Sequence, residues 1–481
     1  MSDTSAIDEH RAPRSVEELG IPDALIQDLA LRRALFEGRT STYQLAENLC
    51  LSPQLMNKVV EEMRDLRYLE VIGLDGMNYI LELSETGRQA ALERMTMCRY
   101  AAAAPVSLAD YVAQVRRQTA SPVITRASMQ EAFSDLVVNH VLLDELGPAL
   151  LAEGAMFLYG PPGTGKTSIA ERLIRIHDDP ILVPRAVEVD SQIITVFDPV
   201  IHRVLPDQPE DLDPRWVACQ RPSIVAGGEL TQGMLDLTFE PTNGIYLAPL
   251  QMQAAGGVLV IDDFGRQVMT PEQLLNRWIV PLDRQLDYLS LSYGVKFEIP
   301  FDCKVVFSTN LEPATLGDEA FFRRIQNKIL VPGITDDEFD EVLRRVAQAK
   351  GVTIAPGASE YLRTASREKG DGDLRPYLPG SVCTILIAIA QYFDVPPELT
   401  PEMIDRVVSV YFTQNRDVTE GQVLAGHAMT ASSTPLLEEL ADPTGATLPP
   451  VDPVAPAPGS PPDASAAGAD PLPGRQAAGL G

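Results

Sequence analysis

Residues 160–167 read Gly160, Pro161, Pro162, Gly163, Thr164, Gly165, Lys166 and Thr167, set between an apolar run at 155–159 and an amphipathic stretch that starts at Ser168. Glycines at this spacing let backbone N–H groups turn inward toward phosphate oxygens. The lysine adds a mobile positive charge, and a threonine hydroxyl at a helix start is placed to ligate Mg2+. The implied chemistry is capture of a nucleoside triphosphate, with ATP and Mg2+ as ligands and residues 160–168 as their cradle. A Gly-rich turn without function is the alternative; the strand pattern before the loop and the helix pattern after it argue for the cradle.

Turnover of a bound triphosphate needs acids and polar groups at the tips of neighbouring strands. Val258, Leu259, Val260 and Ile261 form a continuous apolar run, as expected of a strand covered on both faces, and it ends in Asp262 and Asp263. Asp262 is the candidate to hold Mg2+ through its water shell, together with Thr167. Asp263 is the candidate to polarise the attacking water. A second apolar run at 305–309 ends in Asn310, suited to orient that water or touch the γ-phosphate. Arg323 and Arg324 follow a short helical stretch and Arg375 opens a later one; arginine carries a planar, permanently charged fork that suits phosphate oxygens.

These motifs, in this order, make residues 123–415 resemble the AAA+ ATPases. The resemblance implies an α/β P-loop core, with a parallel sheet flanked by helices, followed by an α-helical lid, and it implies hydrolysis of ATP to ADP and phosphate. It assigns Walker B to Asp262 and Asp263, sensor 1 to Asn310, an arginine finger to Arg323 or Arg324, and sensor 2 to Arg375. A finger acts on the neighbouring subunit's nucleotide, so the chain is expected to self-associate head to tail into a ring, a hexamer. Two positions depart from the family pattern. Asp263 stands where glutamate is usual and is one methylene shorter, which leaves a slowly hydrolysing ATP switch as an alternative. Pro376 restricts Arg375 to a helix entrance or the loop before it.

Two stretches alternate with period two, at 186–197 and at 289–299. In the second, Leu289, Leu291, Val295, Phe297 and Ile299 share one face around a Tyr293-Gly294 turn. Such β-hairpin inserts resemble those of AAA+ members with helix-2 and pre-sensor-1 insertions, a group that includes MoxR-type chaperones. The resemblance implies hairpin tips that face a central pore or a client.

Residues 16–99 form a separate pattern. Helices are expected at 22–36, 40–50 and 53–66, then a hairpin through Val71 and Tyr79 around an Asp75-Gly76 turn, then a closing helix from Ser84. The order resembles an α+β winged helix-turn-helix domain. Its charges argue against DNA as the default partner. The third helix sets Lys58, Arg64 and Arg67 against Glu61, Glu62 and Asp65, and the hairpin adds Asp75 and Glu82 with no lysine or arginine. Phosphate contacts supply most non-specific affinity, and this surface lacks them. An unidentified protein client is the favoured partner, and an ATP-dependent DNA-binding regulator is the rival reading.

The 481 residues carry a net charge of −28, which opposes general attraction to nucleic acid or anionic membrane. No apolar stretch is long enough to cross a bilayer, and five scattered cysteines fit reduced thiols, so a cytoplasmic protein is expected. The domain reading is a disordered terminus at 1–15, the winged helix at 16–99, a swinging linker at 100–122, the nucleotide-binding domain at 123–334 and the lid at 335–415. A further linker at 416–442 and a disordered Pro/Ala/Gly-rich tail at 443–481 complete it. Lid helices are expected at 335–350, 358–368, 381–393 and 401–412, the first opened by a Thr335/Glu338 capping box. The whole reads as a chaperone-like, ATP-driven remodeller.

Overall fold

Five short apolar strands lie parallel at the centre of a computed structural model that describes residues 11–75, 78–119, 124–152, 154–177, 179–209, 211–312, 325–369 and 372–411. All of these belong to one unit, Met1–Asn415. Arg323 and Arg324, Gly76 of the expected turn, the linker at 416–442 and the tail at 443–481 lie outside the described residues.

The chain begins with α1 (Asp23–Glu37), β1 (Arg39–Ser41), α2 (Thr42–Asn48) and α3 (Pro53–Asp65). The starts follow from local chemistry. Ser41 and Gln44 form a capping box for α2, and the Ser52 hydroxyl accepts from Leu55 N–H while Pro53 occupies the first turn of α3. Leu55, Met56, Val59, Val60 and Met63 recur at helical spacing and are all buried. β2 (Leu69–Asp75) and β3 (Asn78–Leu83) make an antiparallel hairpin with a bulge between Val71 and Gly73, and α4 (Glu85–Met97) closes the group. The three-stranded sheet runs β1-β3-β2, and β1 is an element the sequence pattern did not announce. Residues 11–15, expected to be disordered, are placed: Arg11 bridges Leu212, and the Pro13 carbonyl accepts from Ser52 Oγ at 3.3 Å.

The stretch expected to be a swinging linker is built into the fold. β4 (Val106–Ser107) pairs in parallel with β7 (Ala186–Val189), and α5 (Leu108–Arg117) buries Tyr111, Gln114 and Val115. The Gln118 side chain donates to Leu182 O at 3.1 Å and accepts from Leu182 N at 3.0 Å, as a neighbouring backbone segment would. Ala103 and Ala104 are buried because small side chains let the two parts of the chain approach closely. Ala186, Ile193 and Ile245, from the part of the chain that follows, belong to the amino-terminal core. Gly244 marks the seam: a β-carbon there would lie 2.2 Å from the Met97 carbonyl, and Arg99 N–H donates to Asn243 O at 2.8 Å. Buried side chains and backbone bonds, not a hinge, join the two parts.

The core then continues with α6 (Arg126–Ala132), α7 (His140–Leu151), β5 (Met156–Tyr159), α8 (Lys166–Arg172), β6 (Ile181–Pro184), β7, β8 (Gln192–Thr195), β9 (Trp216–Cys219), β10 (Ser223–Ala226), β11 (Thr238–Glu240), β12 (Ile245–Leu247), α9 (Leu250–Gln253), β13 (Val258–Ile261), α10 (Pro271–Arg284), β14 (Leu286–Ser290), β15 (Lys296–Pro300), β16 (Lys304–Thr309) and β17 (Asn327–Leu330). The central sheet has the order β10-β13-β16-β5-β17. Alternate residues serve opposite faces. Met156, Leu158, Val258, Val260 and Val306 pack toward α6, α7 and α8. Phe157, Leu259, Ile261, Val305 and Phe307 pack toward α10, where Trp278 is fully buried. Both faces being covered is why these runs read as uninterrupted apolar sequence.

Both expected hairpins form. β7 and β8 turn through Asp190 and Ser191, each with positive φ (51° and 64°), the geometry of a tight two-residue turn. β14 and β15 pair from Leu286↔Pro300 to Ser290↔Lys296, and bury Leu289, Leu291 and Ile299. Their ends meet: Tyr293 Oη donates to Asp190 Oδ2 at 2.9 Å.

The last part has its own core around Phe339, Leu343, Leu362, Leu386 and Ile404. It contains α11 (Asp336–Lys350), β18 (Thr353–Ile354), α12 (Ala358–Lys369), α13 (Leu378–Phe393), β19 (Glu398–Leu399) and α14 (Pro401–Tyr411). Thr335 N donates to Glu338 Oε2 at 2.7 Å and Thr335 Oγ1 accepts from Glu338 N at 3.3 Å, the capping box its spacing predicts. Among the described residues no helix is long and apolar enough to cross a membrane.

Candidate active site

The carboxyl ends of β5, β13 and β16 bring Lys166, Thr167, Asp262, Asp263 and Asn310 to one place, where open α/β sheets form their ligand crevices. β5 is rigid because Met156, Phe157 and Leu158 are fully buried. The chain leaves it through Gly160, Gly163 and Gly165, with φ of 144°, 78° and 91°, and Gly165 is the N-cap of α8. Left-handed φ at Gly163 and Gly165 is accessible to glycine at little cost.

Lys166 is buried, and its ammonium donates to Gly160 O at 3.0 Å, Pro161 O at 2.8 Å and Asn310 Oδ1 at 2.7 Å. Burial holds its pKa below the ordinary lysine value; Asp262 and Asp263 pull the other way, and Arg375 is near enough to add to the lowering. Thr164 Oγ1 donates to Pro161 O at 3.1 Å and stiffens the loop. Thr167 Oγ1 donates to Asp262 at 2.8 Å and 2.9 Å, one bond to each carboxylate oxygen. A hydroxyl and a carboxylate in contact at a helix start are the donor set a magnesium ion takes with phosphate and water, so these residues fit that ion.

Asp263 sits at φ 48°, and Asn310 Nδ2 donates to its Oδ1 at 3.3 Å. The turn that carries it is tied to the next strand, with Phe264 N–H donating to Ser308 O at 2.7 Å and Thr309 Oγ1 to Phe264 O at 2.8 Å. Gln267, which sequence reasoning missed, completes the turn: its Nε2 donates to Asp262 O at 2.6 Å and its Oε1 accepts from Gly265 N–H at 2.8 Å. No sequence signal marks such a residue, because its role depends on how the turn folds back.

A cavity of about 530 Å³ opens here, lined by Gly163–Ser168, Asp262, Asp263 and Asn310 on the polar side. Leu136, Val138, Leu142, Ile334 and Val346 line an apolar side suited to a planar base. Gly160, Pro161 and Pro162 do not line the cavity; the carbonyls of Gly160 and Pro161 hold Lys166. Arg375 stands in the loop before α13, as Pro376 requires. Arg323 and Arg324 lie outside the described residues.

Tyr377 is a further residue the sequence did not disclose. Its ring lies on the phosphate loop, where a β-carbon on Gly163 would meet Cε1 and Cδ1 at 2.2 and 2.3 Å. Its hydroxyl bonds Tyr411, whose own pKa is pushed up to about 12 by burial and by that bond. Gly163→Ala is therefore expected to weaken nucleotide affinity through both φ strain, about 1–2 kcal/mol, and collision with this ring. Tyr377→Ala in the same chain should restore only the collision part, a coupling of about 0.5–3 kcal/mol in a double-mutant cycle of fluorescent-nucleotide titrations. Strictly additive effects would show that the ring does not press on the loop.

A family model described as a domain of unknown function (DUF8689) matches residues 335–410. No curated protein matches the chain. Solved structures it is similar to include two point mutants of Thermotoga maritima RuvB, at 14% and 15% identity, covering 57% and 59% of this chain and 69% and 73% of theirs, each with a TM-score of 0.35. Another is the Thermotoga maritima RuvB Holliday junction branch migration motor, at 15% identity, 61% of this chain, 72% of that one and a TM-score of 0.32.

Proposed function

We propose that the chain is an ATP-binding, ATP-hydrolysing ATPase of the AAA+ type, with helix-2 and pre-sensor-1 inserts as in MoxR-like members, and that it remodels a protein partner in the cytoplasm. The observation that supports it most is the linked set Thr167–Asp262, Lys166–Asn310 and Asn310–Asp263 at three adjacent strand tips around one cavity.

In this reading the loop N–H groups and Lys166 bind the β- and γ-phosphates, exchanging the lysine's bonds to Gly160 and Pro161 for bonds to phosphate oxygens. Thr167 and Asp262 hold Mg2+, which when bound neutralises charge on the phosphates. Asp263 takes a proton from water as its oxygen joins the γ-phosphorus and the bond to ADP breaks, and Asn310 holds Asp263 in place. One of Arg323 and Arg324 supplies the finger to a neighbouring copy in a hexameric ring, and Arg375 reaches the same phosphates from the lid. Asp263 is short for its task, which favours slow turnover as the second reading.

Turnover per chain is expected to rise with protein concentration as rings form, and one of Arg323→Ala and Arg324→Ala should cut it by roughly 10³ to 10⁵ without abolishing nucleotide binding. A rate per chain independent of concentration and indifferent to both changes would overturn the shared-site reading.

A further inference from the structure

The amino-terminal sheet ends in an edge that nothing in the described residues pairs with. β2 bonds only β3, and its outer edge takes no strand among the described residues. Such an edge presents a row of backbone donors and acceptors, and proteins commonly blunt it with lysine, proline or a bulge. Residues 69–75 contain neither lysine nor proline; the bulge at Val71/Gly73 is the one such device, and it sets Ile72 outward. The side chains beside the edge are large and apolar. Leu74 is 66% exposed and Ile72 44%, Tyr79 lies opposite Leu74 in the register, and Leu66 is exposed at the end of α3. Arg64 is engaged over the Tyr79 ring at 5.5 Å, and Arg39 and Arg88 lie 3.8 and 3.9 Å from Glu82 on the inner strand. The hairpin at 69–83 carries Glu70, Asp75 and Glu82 and no lysine or arginine.

We infer that the outer edge of β2 is a docking site for an extended segment of a partner protein that alternates apolar with basic side chains, added to the sheet as a further strand. Backbone bonding along β2 supplies affinity, Ile72 and Leu74 take the apolar residues, and the exposed Glu70 of the edge strand takes a basic one. Charge complementarity selects this occupant over two others. Nucleic acid would bring phosphates to Glu70 on the edge strand, and a second copy would set Glu70 against its equivalent. The inference rests on the partner-remodelling part of the proposal above and not on ATP turnover.

The test uses the full chain and a fluorescent synthetic peptide of alternating valine and lysine, about eight residues long to match a strand. Three competitors accompany it: the peptide with glutamate in place of lysine, the peptide N-methylated at alternate amides, and a short DNA duplex. Anisotropy should report binding of the lysine peptide that weakens at least about tenfold on N-methylation, on glutamate exchange and in Leu74→Lys, a change at an exposed position that puts a charge on the edge. The unfolding transition of Leu74→Lys confirms that it folds. Equal binding of the glutamate or N-methylated peptide overturns the inference. So does binding of the duplex in place of the peptide, or self-association of the chain that Leu74→Lys disperses. Nucleotide affinity measured on the same samples separates the two readings: a chain that binds nucleotide and no peptide sinks this inference alone.

Discussion

Lys166→Ala is expected to weaken ATP binding by at least about a hundredfold, since it removes charge-assisted bonds worth roughly 1.5–3 kcal/mol each. The cost does not end with the ligand. In the free chain the same ammonium ties Gly160 O, Pro161 O and Asn310 Oδ1 together, so its loss frees the loop from the strand tip that carries Asn310. Stability without nucleotide should fall by about 1–3 kcal/mol, the usual effect of leaving partly buried acceptors without their donor. Fluorescent-nucleotide titration reads the first effect and thermal unfolding the second. The stabilisation that added ATP confers on the native chain should also vanish, because it scales with the logarithm of ligand concentration over Kd. Lys166→Arg keeps the charge but brings a larger planar head to a buried position, so it should rescue stability poorly and affinity only in part. Affinity within about twofold of the parent after Lys166→Ala would remove the foundation of the proposed function.

Asp263→Asn should leave ATP bound and lower turnover by about 10² to 10⁴, the span of a lost general base. The substitution is chosen for its backbone. Residue 263 sits at φ 48°, where asparagine and aspartate are the side chains most readily tolerated, so the turn should survive the change. That geometry also accounts for an aspartate where the resembled family usually has glutamate. A longer side chain would gain reach toward water but fit the left-handed turn less well. Asp263→Glu is accordingly expected to shift turnover by less than about tenfold in either direction, as about 1 kcal/mol of backbone cost offsets the added methylene. Single-turnover measurements, with binding followed separately, distinguish a lost base from a lost site. Unchanged turnover in Asp263→Asn would assign the water-activating role elsewhere.

Much of the site was legible in the chain because its parts are local. Glycines at 160, 163 and 165 state the turn they make, and the apolar runs ending at Asp262, Asp263 and Asn310 state strands with polar tips. Thr335 with Glu338 states a helix start, and two alternating stretches state hairpins. Each of these is decided within a few residues by backbone geometry, side-chain alternation or a hydrogen bond to a near neighbour.

Contacts across the chain decided the rest. Residues 100–118 have the composition of a spacer, yet Ala103, Ala104 and Tyr111 are buried, because partners at 182–189 and 215 close over them. The bond from Lys166 to Asn310, which spans 144 residues, and the ring of Tyr377 on Gly163 join distant segments of the chain. The amino acids alone determined that a glycine-rich loop, two acids and an amide sit at strand tips. Only the tertiary structure decided that they meet around one cavity and that the Tyr377 ring lies against the loop, because strand order and packing arise from burying apolar faces against distant parts of the chain, which no local pattern encodes.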